Sequence, residues 1–438
     1  MAALLDTDTI RRDGLLILER TFSVPLDYTA TADPAGDGRT IEVFAREIVP
    51  AAAQHEDRPY LLWLQGGPGN AADRPGVPSG WLARALKEYR VILLDQRGTG
   101  RSTPLTHRTL PGGSVPEQSN YLTRFRADSI VRDAEALRTL LIGSRKWTVL
   151  GQSFGGFCAL SYLSLAPEGL DSVLITGGLA DIGADPKDIY RANYRRTAQR
   201  NREFFATYPK DQQRIRAIRD HLVESKELLP TGERLTPERF LSLGILLGTK
   251  SGFEQLHYLL ESAFVPGRED PELTEAFLVD AGSVLSFAKN PLYAVMHEAI
   301  YSQGPATAWA AHTVRAELDA FAVNSSDPGD EVLLTGEMIY PWQFEQDPAL
   351  TPLREVAEHL AQRTDWGPLY SEDVLSKNAV PAAAAVYLDD MFVPFEGSMK
   401  TAALVNRLRP VVTNDYQHDG IRQDGAALLG RLLAKLED

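Results

Sequence analysis

The chain has 438 residues, 44% of them hydrophobic and 24% charged, with a formal net charge of −14 at pH 7. That length suits one large domain with an insertion, or two domains, and the composition is ordinary for a globular protein. The negative charge, without any dense Lys/Arg patch, argues against nucleic acid or an anionic membrane as partner, and the single cysteine, Cys158, excludes an intrachain disulfide framework and a cysteine-ligated structural zinc.

In chain order, the N-terminal stretch MAALLDTDTIRRDG carries acidic residues where a signal peptide would need an apolar core, and no run approaches eighteen consecutive apolar residues; a cytoplasmic location is the expectation. Segments 14–24 and 40–49, separated by the turn-rich TADPAGDG at 31–38, outline a β-hairpin. Short apolar runs then alternate with helical patterns: strands at 60–64, 90–94, 147–150 and 172–176, helices at 80–88, 125–142 and 157–164. This alternation predicts an α/β fold, a mostly parallel sheet flanked by helices. From about 181 to 378 the pattern is mainly helical, as at 186–208, 212–229, 239–247 and 353–362, with Asp185 and Pro186 forming a helix start. A strand at 382–388, a helix at 397–408, a last strand at 410–413 and a closing helix at 424–436 restore the first texture. The expected organisation is a catalytic domain of 1–180 and 379–438, with a large helical cap of 181–378 inserted before the last strands.

The stretch GQSFGGF places Ser153 at a strand-to-helix turn, with glycines at 151 and 155 that let the backbone bend sharply. A serine hydroxyl becomes a nucleophile when a base takes its proton and an acid holds that base. Asp390 follows the returning strand, with Pro394 four residues on, a spacing that Asp389 lacks; His418 lies 28 residues beyond Asp390, after the last strand. The other seven histidines either precede the serine or fall in the helical block. The order serine, acid, histidine is that of α/β-hydrolases. The developing oxyanion needs main-chain donors, and LQGGPG after the strand at 60–64 supplies Gly67, with Phe154 after the serine as the second. Cys158 reads as a small buried hydrophobe.

Together GGPG at 66–69, Asp95-Gln96-Arg97-Gly98-Thr99-Gly100-Arg101-Ser102 and GQSFGG at 151–156 resemble the prolyl aminopeptidase (proline iminopeptidase) family of serine peptidases, in its longer branch, over residues 60–180 and 385–420. One departure is Gln65, where the family's loop often begins with histidine; the donors being main-chain groups, the change is expected to tune the loop only. The DQRGTGRS segment is expected to be a strand-end turn fixed by a salt bridge of its Asp and Arg. The resemblance implies a small peptide substrate with a free N-terminal proline, an acyl-enzyme on Ser153, and neither cofactor nor metal. A cationic imino group in a partly desolvated pocket requires carboxylates, and Glu298 and Glu337, beside aromatics in the cap, match the family's cap segments. Two other readings stay open: an esterase or amidase of the same fold acting on small uncharged substrates, and a catalytically inactive binding protein. The sequence leaves the oligomeric state unknown.

Overall fold

The structure is a computed structural model that describes residues 2–29, 38–323 and 331–437. Except for Gly38, the turn expected at 31–38 lies outside the described residues. Nine strands form one sheet: β1 (Ala3–Arg12), β2 (Leu15–Pro25), β3 (Thr40–Pro50), β4 (Tyr60–Leu64), β5 (Arg90–Asp95), β6 (Trp147–Gln152), β7 (Leu170–Thr176), β8 (Ala382–Tyr387) and β9 (Leu408–Thr413). Their order is β1-β2-β3-β5-β4-β6-β7-β8-β9, antiparallel from β1 through β3 to β5 and parallel from β5 to β9.

The chain runs from β4 to β5 on one side and then returns to place β6 on the other side of β4, so the strand order reverses around β4. A crevice opens at the carboxyl ends of strands at such a reversal, and ligands of open α/β sheets bind there. Every residue of β6 and of β8 is buried, as parallel strands covered on both faces require. Alternate side chains serve two apolar clusters: Leu62, Leu64 and Val149 face one, while Leu61, Trp63 and Leu150 face the other.

Between β7 and β8 the described residues form helices and isolated bridges but no strand. The first helix, Pro186–Thr207, starts as its sequence requires: Asp185 accepts a hydrogen bond from the Lys187 amide at 2.8 Å, and Pro186 takes the first helical position. The side chains of this insert, Tyr190, Phe204 and Trp366 among them, belong to the same apolar cluster as one face of the sheet. Among the described residues no helix is long and apolar enough to cross a membrane.

Two differences from the sequence reading have local causes. β1 went unread because all ten of its residues are exposed, so no apolar alternation marks it. The helix expected at 397–408 ends at Leu404, and Leu408 opens β9; Arg407, at φ 59°, breaks an apolar spacing that otherwise continues.

The loop after β5 is pinned by a buried ion pair. Arg97 uses all five of its N–H donors: two reach Asp133, at 2.7 and 2.5 Å, and the others reach the carbonyls of Pro25, Leu26 and Arg124. Tyr28 donates a further bond to Asp133 at 2.8 Å. Truncating Arg97 to alanine strands a buried carboxylate, and we expect a loss of about 3–5 kcal/mol, seen as a lower urea midpoint; an unchanged midpoint would contradict this account.

Candidate active site

Ser153 connects β6 to the helix Phe154–Leu165 at φ 54° and ψ −124°, a strained conformation for a residue with a side chain. Surrounding main chain holds it there. Its N–H donates to Thr176 O at 3.0 Å, and its carbonyl accepts from Gly156 N at 2.7 Å. The two motif glycines are required by close approach: a Cβ on Gly151 would sit 2.2 Å from Gly155 O, and one on Gly155 would sit 2.0 Å from Leu64 O. The helix therefore abuts the end of β4, and the loop Gln65–Gly69 runs beside the serine.

Gln65 stiffens that loop. Its side-chain oxygen accepts from Trp63 Nε1 at 2.8 Å, and its carbonyl accepts from Gln96 Nε2 at 3.0 Å. The N–H groups of Gly67 and Phe154 have no hydrogen-bond partner among the described residues. Just beyond, Asp95 fixes the chain at 72–74 and 101 by accepting from Arg74 at 2.6 and 2.7 Å and from the amides of Ala72 and Arg101 at 3.1 and 2.9 Å. The side chains of Asp95 and Arg97 thus each pair with a distant partner, Arg74 and Asp133, instead of with one another, which corrects the expected single salt bridge.

Asp390 follows β8 and is buried. Its Oδ1 accepts from the amides of Phe392 and Val393 at 2.8 and 3.0 Å, and its Oδ2 lies 2.8 Å from His418 Nδ1. An ionised carboxylate only accepts, so Nδ1 carries the proton and Nε2 of the neutral ring is left with its lone pair. Asp389 faces Arg196 instead, at 3.3 Å. Burial alone would lower the His418 pKa, but the charge and hydrogen bond of Asp390, with Glu337 further off, raise it above the usual 6.5.

Ser153 and His418 flank the dipeptide Gly177-Gly178: a Cβ on Gly177 would lie 3.3 Å from His418 Nδ1, and one on Gly178 would lie 2.2 Å from Ser153 O. In this structure His418 Nε2 faces the Gln152 amide nitrogen at 3.4 Å, and the Ser153 hydroxyl makes no hydrogen bond among the described residues.

The insert supplies an aromatic and acidic wall. Tyr301 is in edge contact with Phe157, on the helix behind Ser153, and with Tyr190, both at 5.9 Å between ring centroids. Glu337 accepts from Tyr293 Oη at 2.6 Å and keeps part of its surface open although it lies deep in the molecule; burial pushes its carboxyl up to about 7. Glu298 is more committed, its two oxygens accepting the amides of Ala310 and Ala311 at 3.1 and 3.0 Å at the start of the helix Ala310–Arg315, and burial raises its pKa too. Of the two acids, Glu337 is the one whose field reaches His418.

The sequence reading passed over Tyr190, Tyr293 and His297, and met Tyr301 only as an aromatic beside Glu298. His297 is 1% exposed, its ring nitrogens make no hydrogen bond of good geometry, and burial pushes it down to about 4, so it is neutral beside Tyr293. Its one sequence signal is its place beside Glu298. Cys158 is fully buried in the helix behind Ser153, and burial pushes its thiol well above the usual range.

A protein-family model described as alpha/beta hydrolase fold matches residues 59–267. The chain is 45% identical over 421 residues to a proline iminopeptidase from Aeromonas sobria, with 96% of each chain covered. It is 36% identical over 433 residues to proline iminopeptidase aneH from Aspergillus aculeatus, covering 96% of this chain and 93% of that one. Among solved structures, the hydrolase BphD from Rhodococcus sp. strain RHA1 superposes with a TM-score of 0.44 at 14% identity, covering 99% of this chain and 100% of that one.

The approach of the elbow to β4 leaves no room at position 155. We expect Gly155→Ala to displace Ser153 and to slow its reaction with a fluorophosphonate by at least about 100-fold, on the scale of a misplaced reacting group; labelling at the wild-type rate would refute the packing argument.

Proposed function

The chain belongs to the proline iminopeptidase family, and on that premise we propose that it is a serine exopeptidase releasing an N-terminal proline from peptides, with Ser153 as nucleophile, His418 as base and Asp390 as the group that orients it. Residues 1–180 and 379–438 form the catalytic domain, and 181–378 a helical cap that closes over the substrate. The observation that carries this reading is the 2.8 Å bond between Asp390 and His418, set beside a strained serine at the reversal of the strand order.

In the reaction a rotation about the Cα–Cβ bond of Ser153 brings its hydroxyl to His418 Nε2, in place of the Gln152 contact. Hydroxyl-to-base bonds are often long or unmade before substrate arrives. Oγ attacks the prolyl carbonyl while Nε2 takes its proton, and the N–H groups of Gly67 and Phe154 receive the oxyanion. His418 then gives that proton to the departing amine, leaving the prolyl ester on Ser153. Water attacks the ester, His418 takes the water's proton and returns it to Oγ, and proline leaves.

The substrate's imino group is a cation, and Glu337, together with Glu298, provides the counter-charge. A neutral His297 adds no competing positive charge. The Tyr190, Tyr293 and Tyr301 rings suit the pyrrolidine. Requiring a charged terminus also excludes longer N-terminal extensions and makes the enzyme an exopeptidase.

Three outcomes test this. Ser153→Ala should lower kcat for proline 4-nitroanilide by at least about 10³-fold and abolish fluorophosphonate labelling. N-acetylproline 4-nitroanilide should be a far poorer substrate than the free amine; equal turnover of both would favour the esterase or amidase reading. The pH dependence has a definite sign: below about 7 Glu337 is protonated and loses its attraction for the substrate's ammonium, and on the acid side of its raised pKa His418 is protonated and cannot act as base. The acid limb of kcat/KM should therefore fall at or above neutrality, and Glu337→Gln should lower the plateau and leave a limb set by His418 alone; a wild-type midpoint below pH 6 would contradict both assignments.

A further inference from the structure

A second cavity, of about 530 Å³, lies against the loop that carries Gly67. Gln65 and Gly69, the two ends of the segment that carries Gly67, line one wall, and Asn290 and Lys289 of the insert line the other. Arg422 closes it from the short helix Gly420–Gln423, four residues past His418. None of Glu298, Glu337 or Tyr301 lines it, so it is distinct from the pocket assigned to the proline. Its volume is in the range that holds a small organic ligand.

The reaction itself says what belongs there. His418 hands its proton to the departing amine, so the peptide downstream of the cleaved bond lies on the His418 side of the oxyanion loop. The cavity sits between that loop and the helix that follows His418. Its walls are joined by a hydrogen bond from Asn290 Nδ2 to Asn70 Oδ1 at 2.6 Å, so both donors and acceptors for a peptide backbone are present.

Its charge is the selective feature. Lys289 and Arg422 are exposed, and neither side chain has an ion pair or hydrogen bond among the described residues. Nearby arginines are engaged, Arg74 with Asp95 at 2.6 Å and Arg101 with Glu19 at 2.6 Å. One carboxylate, Asp73, also lines the cavity, which leaves a net positive charge in a chain of −14 overall. A cavity of about 530 Å³ with two available cations matches the terminal carboxylate of a short peptide.

We propose that this cavity binds the portion of substrate downstream of the cleaved bond and that Lys289 and Arg422 hold its terminal carboxylate, so that di- and tripeptides with a free C-terminus are preferred. The inference rests on the catalytic reading of Ser153 and His418 given above. Its test compares kcat/KM for Pro-Gly and Pro-Gly-Gly with their C-terminal amides, in wild type and in the Lys289→Gln/Arg422→Gln double variant, with proline 4-nitroanilide as the measure of catalysis in wild type. The free acids should be favoured about three- to tenfold in wild type, the yield of two solvent-exposed charge contacts. The preference should act through KM, shrink at high salt, and fall to about one in the double variant. Equal kcat/KM for acid and amide in wild type, or an acid preference that survives the double substitution, would overturn the inference while leaving the peptidase reading in place. No turnover of proline 4-nitroanilide by wild type would overturn the catalytic reading, and this inference with it.

Discussion

The arrangement of the site depends on one steric constraint: the helix behind Ser153 touches the end of β4 through backbone alone. The carbonyl of Leu64 lies where a side chain on residue 155 would be, and the carbonyl of Gly155 lies where one on residue 151 would be. Because these contacts are main chain to main chain, neither can yield by a change of rotamer. The serine is forced into positive φ, its side chain is lifted off the sheet, and the loop carrying Gly67 is brought alongside it. The strain at one residue is offset by the packing of two strands and a helix.

Around this point the protein distributes charge by environment. Asp390 has two amide donors on one oxygen and the imidazole on the other, and so fixes the ring of His418. Glu337 has a single neutral donor, the Tyr293 hydroxyl, and its burial keeps the proton held until neutrality. An acid of that kind suits a transient cation: it can give up its proton as a positive ligand enters and take it back when the ligand leaves. Buried arginines such as Arg97 work in the opposite way, with a complete and permanent set of acceptors.

The fold and the centre of the site were legible because they rest on local rules. The strand at 60–64 is read without error, since a run of apolar residues bounded by turns can be little else in an alternating chain. Asp390 is distinguished from Asp389 by its spacing to Pro394, and the structure turns Asp390 to His418 and Asp389 to Arg196. The pocket wall was not legible. Tyr190 and Tyr293 come from helices whose apolar spacing looks the same whether a face packs against other helices or against a ligand. Glu298 and Glu337 stood out only beside aromatics, and their different surroundings, one capping a helix and one open to the pocket, are tertiary facts. Likewise, β1 is exposed along its whole length, so no pattern of burial had been written into its sequence.

The apolar cluster beneath Ser153 runs unbroken from the sheet into the insert, with Phe157 and Tyr301 meeting edge to face across the join. The insert is therefore no detachable module. Replacing it would set a foreign surface on Phe157 and disturb the helix that supports Ser153.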